Sequence, residues 1–205
     1  MKGLLLKDWF MITRYCRFIY LVDLAFIVGA LFLPGFVIFL AYPALFAAVV
    51  PMTLYSYDER EKWHVYSGAL PVSRTQFVSA KYIVGLLSEA AVLVLTVVIR
   101  MVASYFLPKG VQDDLLSIWI ASALSLVTPA LTLPLMFRLG AEKGKIGYTL
   151  VIAVVCVASM SILNADAPEL VRSMTLHPAV VCAAALALYA ASWLLSIAMY
   201  KKREL

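Results

Sequence analysis

The sequence is poor in charge. Only 14% of its 205 residues are Asp, Glu, Lys or Arg, whereas 64% are apolar. A water-soluble domain of this length buries only about 70–75% of its surface, so it could not hide that many apolar side chains. The composition therefore excludes a soluble enzyme and leaves lipid as the solvent for much of the chain.

Cysteine and histidine are also scarce. Cys16, Cys156 and Cys182 lie in apolar stretches and form no Cys-x-x-Cys pair. His64 and His177 are far apart, and neither has an acidic or thiol neighbour at ligand spacing. We therefore expect neither a disulfide framework nor a metal site.

A nucleotide-binding loop is missing as well. The nearest approach is the stretch GAEKGKI between Gly140 and Ile146. It has three residues between its glycines where the motif needs four, and Ile146 replaces the Ser or Thr that holds Mg²⁺. We expect a short turn here, no cofactor in this chain and no enzymatic activity of its own.

Long apolar runs are what the sequence has instead. A bilayer core about 30 Å thick needs about 20 helical residues. Runs near that length predict an all-α, polytopic membrane protein that forms one transmembrane domain over 1–205. The six expected membrane helices are 18–33, 36–57, 81–107, 115–137, 146–163 and 178–200.

Prolines punctuate these runs. Pro34 and Gly35 fit a reverse turn between the first two helices. The others fall inside the second and fourth helices and predict kinks, because neighbouring polar side chains can bond the carbonyls that proline leaves free. These interior prolines are Pro43, Pro51, Pro129 and Pro134.

The basic residues are unevenly distributed among the predicted loops. All but three of the 17 Lys and Arg residues lie in the N-terminal segment, in 58–81, in 138–145 or at the C-terminus. Lys and Arg concentrate in cytoplasmic loops, so six passes with both termini in the cytoplasm fit this bias. We expect a multi-pass protein of the bacterial plasma membrane. Its net charge of +5 then reflects topology and contact with anionic membrane lipids, not nucleic acid.

Residues 2–17 predict an amphipathic helix in the membrane interface. At 100° per residue, Lys7, Arg14 and Arg17 share one arc, and apolar side chains occupy the opposite one. Trp9 and Tyr15 suit the headgroup level. This helix is either a simple anchor or an elbow that transmits motion from a cytoplasmic partner.

The stretch 58–80 predicts a structured cytoplasmic region. A charged run from Asp58 to Lys62 ends the second membrane helix and begins a short polar helix. Ser73 and Gln76 have the spacing of a capping box that starts another helix. Trp63 and Tyr66 lie between them and predict either a docking surface for a protein or a belt of interfacial aromatic residues.

These segments resemble a known family. The stretches LLLKDW, YDEREKW, LPVSR and AKY, at 4–9, 57–63, 70–74 and 80–82, are similar to permeases of the ABC-2 exporter class. The nearest resemblance is to the small permeases that pair with a separate ATPase to export phenol-soluble-modulin-type peptides. The resemblance covers the whole chain and implies a type V exporter-like fold.

The resemblance also implies partners. The permease would work as a homodimer with two copies of an ABC ATPase. The ATPase would bind ATP and Mg²⁺. The permease would export hydrophobic or amphipathic substrates, namely peptides. A coupling helix near 59–68 would sit in a groove of the ATPase. The coupling residues expected on this basis are Asp58, Glu59, Arg60, Glu61, Lys62, Trp63, His64, Tyr66, Leu70, Pro71, Ser73 and Arg74.

Three charged residues fall within the predicted membrane helices: Asp23, Glu89 and Arg100. A charge there is costly unless it is paired or hydrated. Glu89 and Arg100 face the same way, but they are about 16 Å apart along the helix axis and cannot bond directly. The three residues could pin helices together, line a pathway for cationic amphipathic peptides, or relay protons.

Other functions remain open on the sequence alone. An immunity permease that clears an antimicrobial peptide would use the same fold, and a membrane scaffold would not transport at all. An intramembrane enzyme fits less well. A rhomboid-type protease needs a Ser and a His within helices, and a lipid phosphotransferase needs acidic residues clustered on one helix. His64 and His177 both lie in predicted loops.

Overall fold

The computed structural model describes residues 2–32, 38–63, 66, 72–106, 115–164 and 178–201. Within these ranges the chain is helical apart from short turns and has no strand, which confirms the predicted all-α class. A π-helical segment, Ile12–Cys16, joins the first two helices. The α-helices are α1 (Lys2–Met11), α2 (Arg17–Phe32), α3 (Ile38–Ala47), α4 (Val49–Arg60), α5 (Arg74–Phe106), α6 (Leu115–Leu139), α7 (Ala141–Asn164) and α8 (Pro178–Lys201).

Two of the described helices are long and apolar enough to cross a membrane. They are Arg74–Val102 within α5 and Ala179–Lys201 within α8, and Ser125–Leu139 in α6 is apolar but shorter. The expected number of six membrane helices is thus not reached on the described residues and stays a prediction.

The distribution of polar and apolar side chains on α5 and α8 is the reverse of that in a water-soluble protein. Their outward faces carry large apolar side chains such as Val94 and Leu194, which are 62% and 70% exposed. Their inward faces carry hydroxyl groups. The Tyr82 hydroxyl of α5 hydrogen-bonds Ser192 and Ser196 of α8 at 2.8 and 2.7 Å. Apolar side chains facing outward and satisfied polar groups facing inward are the arrangement that lipid favours.

The N-terminal helix does not stand apart from the first predicted membrane helix. We expected an interfacial helix at 2–17 and a separate one from 18, but helical structure is continuous from Lys2 to Phe32. No proline or glycine interrupts it between Met11 and Arg17, so the chain turns through the wider π-helical segment without breaking.

The predicted helix 36–57 is divided. The structure has α3 and α4, separated by a turn at Ala48, and α4 continues to Arg60. Pro51 explains the division, because it has no N–H to donate to the carbonyl of Ala47. The Ser88 hydroxyl of α5 lies 3.4 Å from that carbonyl oxygen and partly replaces the lost hydrogen bond.

A second proline follows the same rule. Pro134 in α6 has no N–H for the carbonyl of Ala130, and the Ser192 hydroxyl of α8 donates to that oxygen at 2.5 Å. Both freed carbonyls thus bond a serine on a neighbouring helix. These bonds tie the end of α3 to α5 and α6 to α8.

Two other helices begin earlier than expected. The third predicted membrane helix starts at 81, but α5 starts at Arg74 and runs without a break. The fifth starts at 146, but α7 starts at Ala141, directly after Gly140. Gly140 has φ 87°, a left-handed conformation that ends α6 and lets the next helix follow at once.

Candidate functional site

Four chain segments meet at one end of the helical bundle. The Lys7 ammonium of α1 contacts Asp58 at the end of α4. The Glu59 carboxylate accepts a hydrogen bond from the first N–H of α7, at Ala141. The Arg74 guanidinium at the start of α5 donates to the Lys201 carbonyl at the end of α8, at 3.1 Å. We call this the charged end of the bundle.

Four alternating charges lie at its centre, on three helices. Lys7 and Asp8 come from α1, Asp58 from α4 and Lys81 from α5. The Lys81 ammonium lies 2.7 Å from Asp8 and 2.6 Å from Asp58, and the Lys7 ammonium lies 2.5 Å from Asp58. We call these four residues the charge cluster. It carries no net charge, and each charge has an opposite partner.

The charge cluster is buried. The side chains of Asp8 and Lys81 are each 1% exposed. Burial lowers the pKa of the Lys7 ammonium, the nearby Lys81 ammonium lowers it further, and Asp58 opposes both effects. Removing one partner from such a group leaves an uncompensated charge in a low-dielectric site. The cluster therefore holds α1, α4 and α5 in one relative position.

Trp63 lies directly beside the charge cluster. The Lys7 ammonium sits 4.4 Å from the centre of its ring, a cation–π contact. Trp63 in turn contacts Tyr66, whose side chain is 62% exposed, with 5.4 Å between ring centres. Lys62, just before it, has φ 53°, a left-handed conformation that ends α4. The chain thus turns sharply from a buried cluster to an exposed aromatic side chain.

Helix caps order the start of α5. The Ser73 hydroxyl accepts from the Gln76 N–H at 3.2 Å, and the Gln76 side chain accepts from the Ser73 N–H at 3.1 Å. These reciprocal bonds form the capping box that the sequence predicts. Phe77 and Val72 pack in the same hydrophobic cluster. The segment before α5 is therefore anchored where it enters the bundle.

An apolar layer lies deeper than the charge cluster. Cys16, Val50, Leu54 and Val84 are buried against one another. Each of them lies further from the charged end than the charged residue on the same chain segment. Cys16 follows Asp8 by eight residues, Leu54 and Val50 precede Asp58 by four and eight, and Val84 follows Lys81 by three. This layer separates the charge cluster from what lies beyond it.

Two buried carboxylates lie beyond the apolar layer. Asp23 of α2 and Glu89 of α5 are 1% and 3% exposed, and they lie on helices that contact each other. Ser125 of α6 donates to Glu89 Oε2 at 2.9 Å. Within the described ranges, Glu89 Oε1 and both oxygens of Asp23 have no hydrogen-bond partner. We call these two residues the carboxylate pair.

A cleft of about 860 Å³ opens beside the charged end, between α4, α6 and α7. Its lining includes Glu59 and Arg60 from the end of α4 and Glu142 and Lys143 from the start of α7. Charges of both signs therefore border it, and apolar residues such as Met52 form its floor.

Comparison with known proteins decides the family. The sequence model of a family described as ABC-2 family transporter protein matches residues 3–201. The chain belongs to the ABC-2 transporter family. No curated protein and no solved structure matches it. An ABC-2 permease is the membrane component of an ABC transporter and works with an ABC ATPase, so the expected permease class is confirmed at this level.

The coupling residues expected in the permease separate into two groups. Asp58 and Glu59 point inward, to the charge cluster and to the N-terminus of α7, so we withdraw them from a docking surface. Trp63 is half-buried, and His64, Leu70 and Pro71 lie outside the described residues. The exposed members are Arg60, Glu61, Lys62, Tyr66, Ser73 and Arg74.

The three charged residues predicted to lie in the membrane also fall into two groups. Asp23 and Glu89 lie on α2 and α5, two helices that contact each other. Arg100 is buried on α5, about 16 Å beyond Glu89 at the standard helical rise. No ion pair joins it to either carboxylate within the part of the permease that the structure describes.

The sequence interpretation missed half of the charge cluster. It placed Lys7 on a solvated arc of an interfacial helix and gave Asp8 and Lys81 no role. A signal was present: Lys81 lies at the edge of a long apolar run, where a buried ammonium needs a carboxylate from elsewhere. Asp8 is the only acidic residue before Asp23 and was the available partner.

Proposed function

We propose that this permease is the transport subunit of an ATP-driven exporter of amphipathic peptides. It works as a homodimer with two copies of an ABC ATPase that dock on its charged end, which faces the cytoplasm. The observation that carries the proposal is the charge cluster, which ties three helices together directly beneath an exposed aromatic side chain.

The proposed docking patch comprises Arg60, Glu61, Lys62 and Tyr66. All four side chains are exposed, and they follow the end of α4 next to Trp63. A displacement of this patch would act on Trp63, then on Lys7, and through the charge cluster on α1, α4 and α5 together. Such a rigid junction suits the transmission of a conformational change from an ATPase to the bundle.

The distribution of charge supports a cytoplasmic position for this end. The segments that meet there contain most of the Lys and Arg residues of the chain, as cytoplasmic loops do. The absence of a nucleotide-binding loop from the sequence supports hydrolysis by a separate subunit.

Co-purification with the ABC ATPase encoded nearest to the permease gene tests the docking patch. We expect Tyr66→Ala to reduce the amount of ATPase retained by about tenfold, because central aromatic residues dominate protein interfaces. Phe10→Ala is the matched control, since Phe10 is 64% exposed on α1 and lies outside the patch. Equal loss in both variants, or in neither, would contradict docking at this patch.

Two further measurements test the whole assignment. A membrane-impermeant maleimide should label Tyr66→Cys only in inverted vesicles, and labelling in intact cells would reverse the topology. The purified permease alone should not hydrolyse ATP. In vesicles with the ATPase, ATP should drive amphipathic peptides outward, whereas a scaffold would move none.

A further inference from the structure

We propose that the carboxylate pair binds a primary ammonium group, such as a lysine side chain or free N-terminus of an amphipathic peptide cargo. The inference rests on the proposed function for the identity of the cargo. The site itself is defined by Asp23, Glu89 and the hydroxyl groups around them.

Geometry gives the site its charge. Asp23 lies on α2 and Glu89 on α5, two helices that contact each other, and in the described part of the chain no Lys or Arg forms an ion pair with either. The nearest cation along α5 is Lys81, about 12 Å away at the helical rise. Lys81 is already bonded to Asp8 and Asp58. Two buried carboxylates without a cation cannot both ionise.

The vacant acceptors match an ammonium group. Among the described residues, three carboxylate oxygens lack a donor: Asp23 Oδ1, Asp23 Oδ2 and Glu89 Oε1. An alkylammonium has three N–H donors and no acceptor, so its donors match acceptors of this kind. Ser125 donates to the remaining oxygen of Glu89.

The surroundings favour an ammonium on an alkyl chain over a metal ion. Divalent metal ions such as Ca²⁺ take six to eight oxygen ligands. Among the described residues no group of three or more His, Cys, Asp or Glu could hold one. Buried apolar side chains lie on the charged-end side of the pair, including Val50 and Val84, and they suit the methylene groups of a lysine.

Protection from a carbodiimide tests the site without the ATPase. Dicyclohexylcarbodiimide reacts with protonated carboxyl groups in apolar surroundings, so it should modify Asp23 or Glu89 of the permease in lipid nanodiscs. Dodecylammonium should slow this modification about tenfold more than dodecyltrimethylammonium, because only the former donates charge-assisted hydrogen bonds. Intact mass and peptide mapping measure the extent and the position.

Variants locate the effect. In Glu89→Gln, dodecylammonium should no longer protect Asp23, and in Asp23→Asn it should no longer protect Glu89. Glu142→Gln is the matched control, because Glu142 is an exposed carboxylate outside the pair and its loss should leave protection unchanged. Gel filtration of each variant reports whether the fold is intact, and retained protection in both pair variants would overturn the site.

Other outcomes also decide the matter. Equal protection by both amphiphiles would indicate a surface-charge effect, and protection by Na⁺ alone would indicate an alkali-ion site. A lack of carbodiimide reaction at both residues would show that they are not a neutral, vacant pair. Each result overturns the proposal without affecting ATP-driven transport. Conversely, ammonium binding by a permease that moves no peptide would refute only the proposed function.

Discussion

The charge cluster and the carboxylate pair are both buried, and both combine side chains from the N-terminal segment and α5. They lie about 12 Å apart along α5. In the charge cluster two cations face two anions, and each charge has a partner within 2.7 Å. In the carboxylate pair two acidic side chains are buried, and among the described residues three of their oxygens have no hydrogen-bond partner. The first arrangement fixes helices in place, whereas the second leaves a binding capacity unused.

Position along the helices explains why the two regions coexist. The charge cluster lies at the charged end, where Lys7 remains 20% exposed. The apolar layer around Leu54 separates it from the carboxylate pair. Lys81 lies about 12 Å from Glu89 along α5 and is bonded to Asp8 and Asp58, so it leaves the carboxylate pair without its charge. The charge cluster, the apolar layer and the carboxylate pair thus follow one another along the helices.

Breaking the charge cluster should have the largest effect. Asp58→Asn leaves Lys81 with Asp8 alone and Lys7 without its closest partner. We expect the free energy of unfolding to fall by about 3–5 kcal/mol, as when one member of a buried ion pair is removed. Thermal unfolding in detergent, followed by circular dichroism, measures this.

Glu142→Gln is the control for Asp58→Asn, because it removes an exposed carboxylate at the same end of the bundle. Its effect should be within about 0.5 kcal/mol, as for most surface substitutions. Equal stability of the two variants would mean that the four charges do not hold the helices together.

Local features of this fold were predictable from the sequence, and long-range ones were not. The capping box at Ser73 and Gln76 needs only residues three apart, and the sequence identified it. The effect of Pro51 was foreseen as a kink, but the serine that bonds Ala47 lies 41 residues away. The contact of α1 with α5 includes a hydrogen bond from Lys81 to Asp8, 73 residues away. No periodicity reveals such contacts.

The candidate site shows the same limit. The charged run after Tyr57 was expected to end the helix, but α4 continues three residues into it, to Arg60. Sequence spacing also could not reveal that Asp58 points inward and Tyr66 outward. Asp23 and Glu89 stood out as costly charges because each interrupts an apolar run. Their mutual approach depends on how α2 and α5 pack, so it required the structure.

Creating a cavity in the apolar layer should have the next largest effect. Leu54→Ala removes a fully buried side chain, and we expect a loss of about 2–5 kcal/mol from the cavity it leaves. Water admitted through this layer should also let a water-soluble carbodiimide reach Glu89 faster. Mass spectrometry of the labelled permease measures that rate.

Leu87→Ala is the matched control, because Leu87 on α5 is 61% exposed and faces away from the bundle. It should leave the labelling of Glu89 unchanged. If both leucine variants accelerate labelling alike, then the apolar layer does not separate the two charged regions.

The smallest effect, and the most informative one, concerns Asp23→Asn. It is the same chemical change as Asp58→Asn, made in the unpaired region. Because Asp23 has no hydrogen-bond partner among the described residues, we expect the free energy of unfolding to stay the same or to rise by about 1 kcal/mol. Unfolding in detergent, beside Asp58→Asn, gives the comparison directly. A loss as large as that of Asp58→Asn would mean that a cation from elsewhere, such as the second copy of a homodimer, already occupies the pair. Different changes in the free energy of unfolding for the same Asp→Asn substitution at these two sites therefore distinguish a paired carboxylate from an unpaired one.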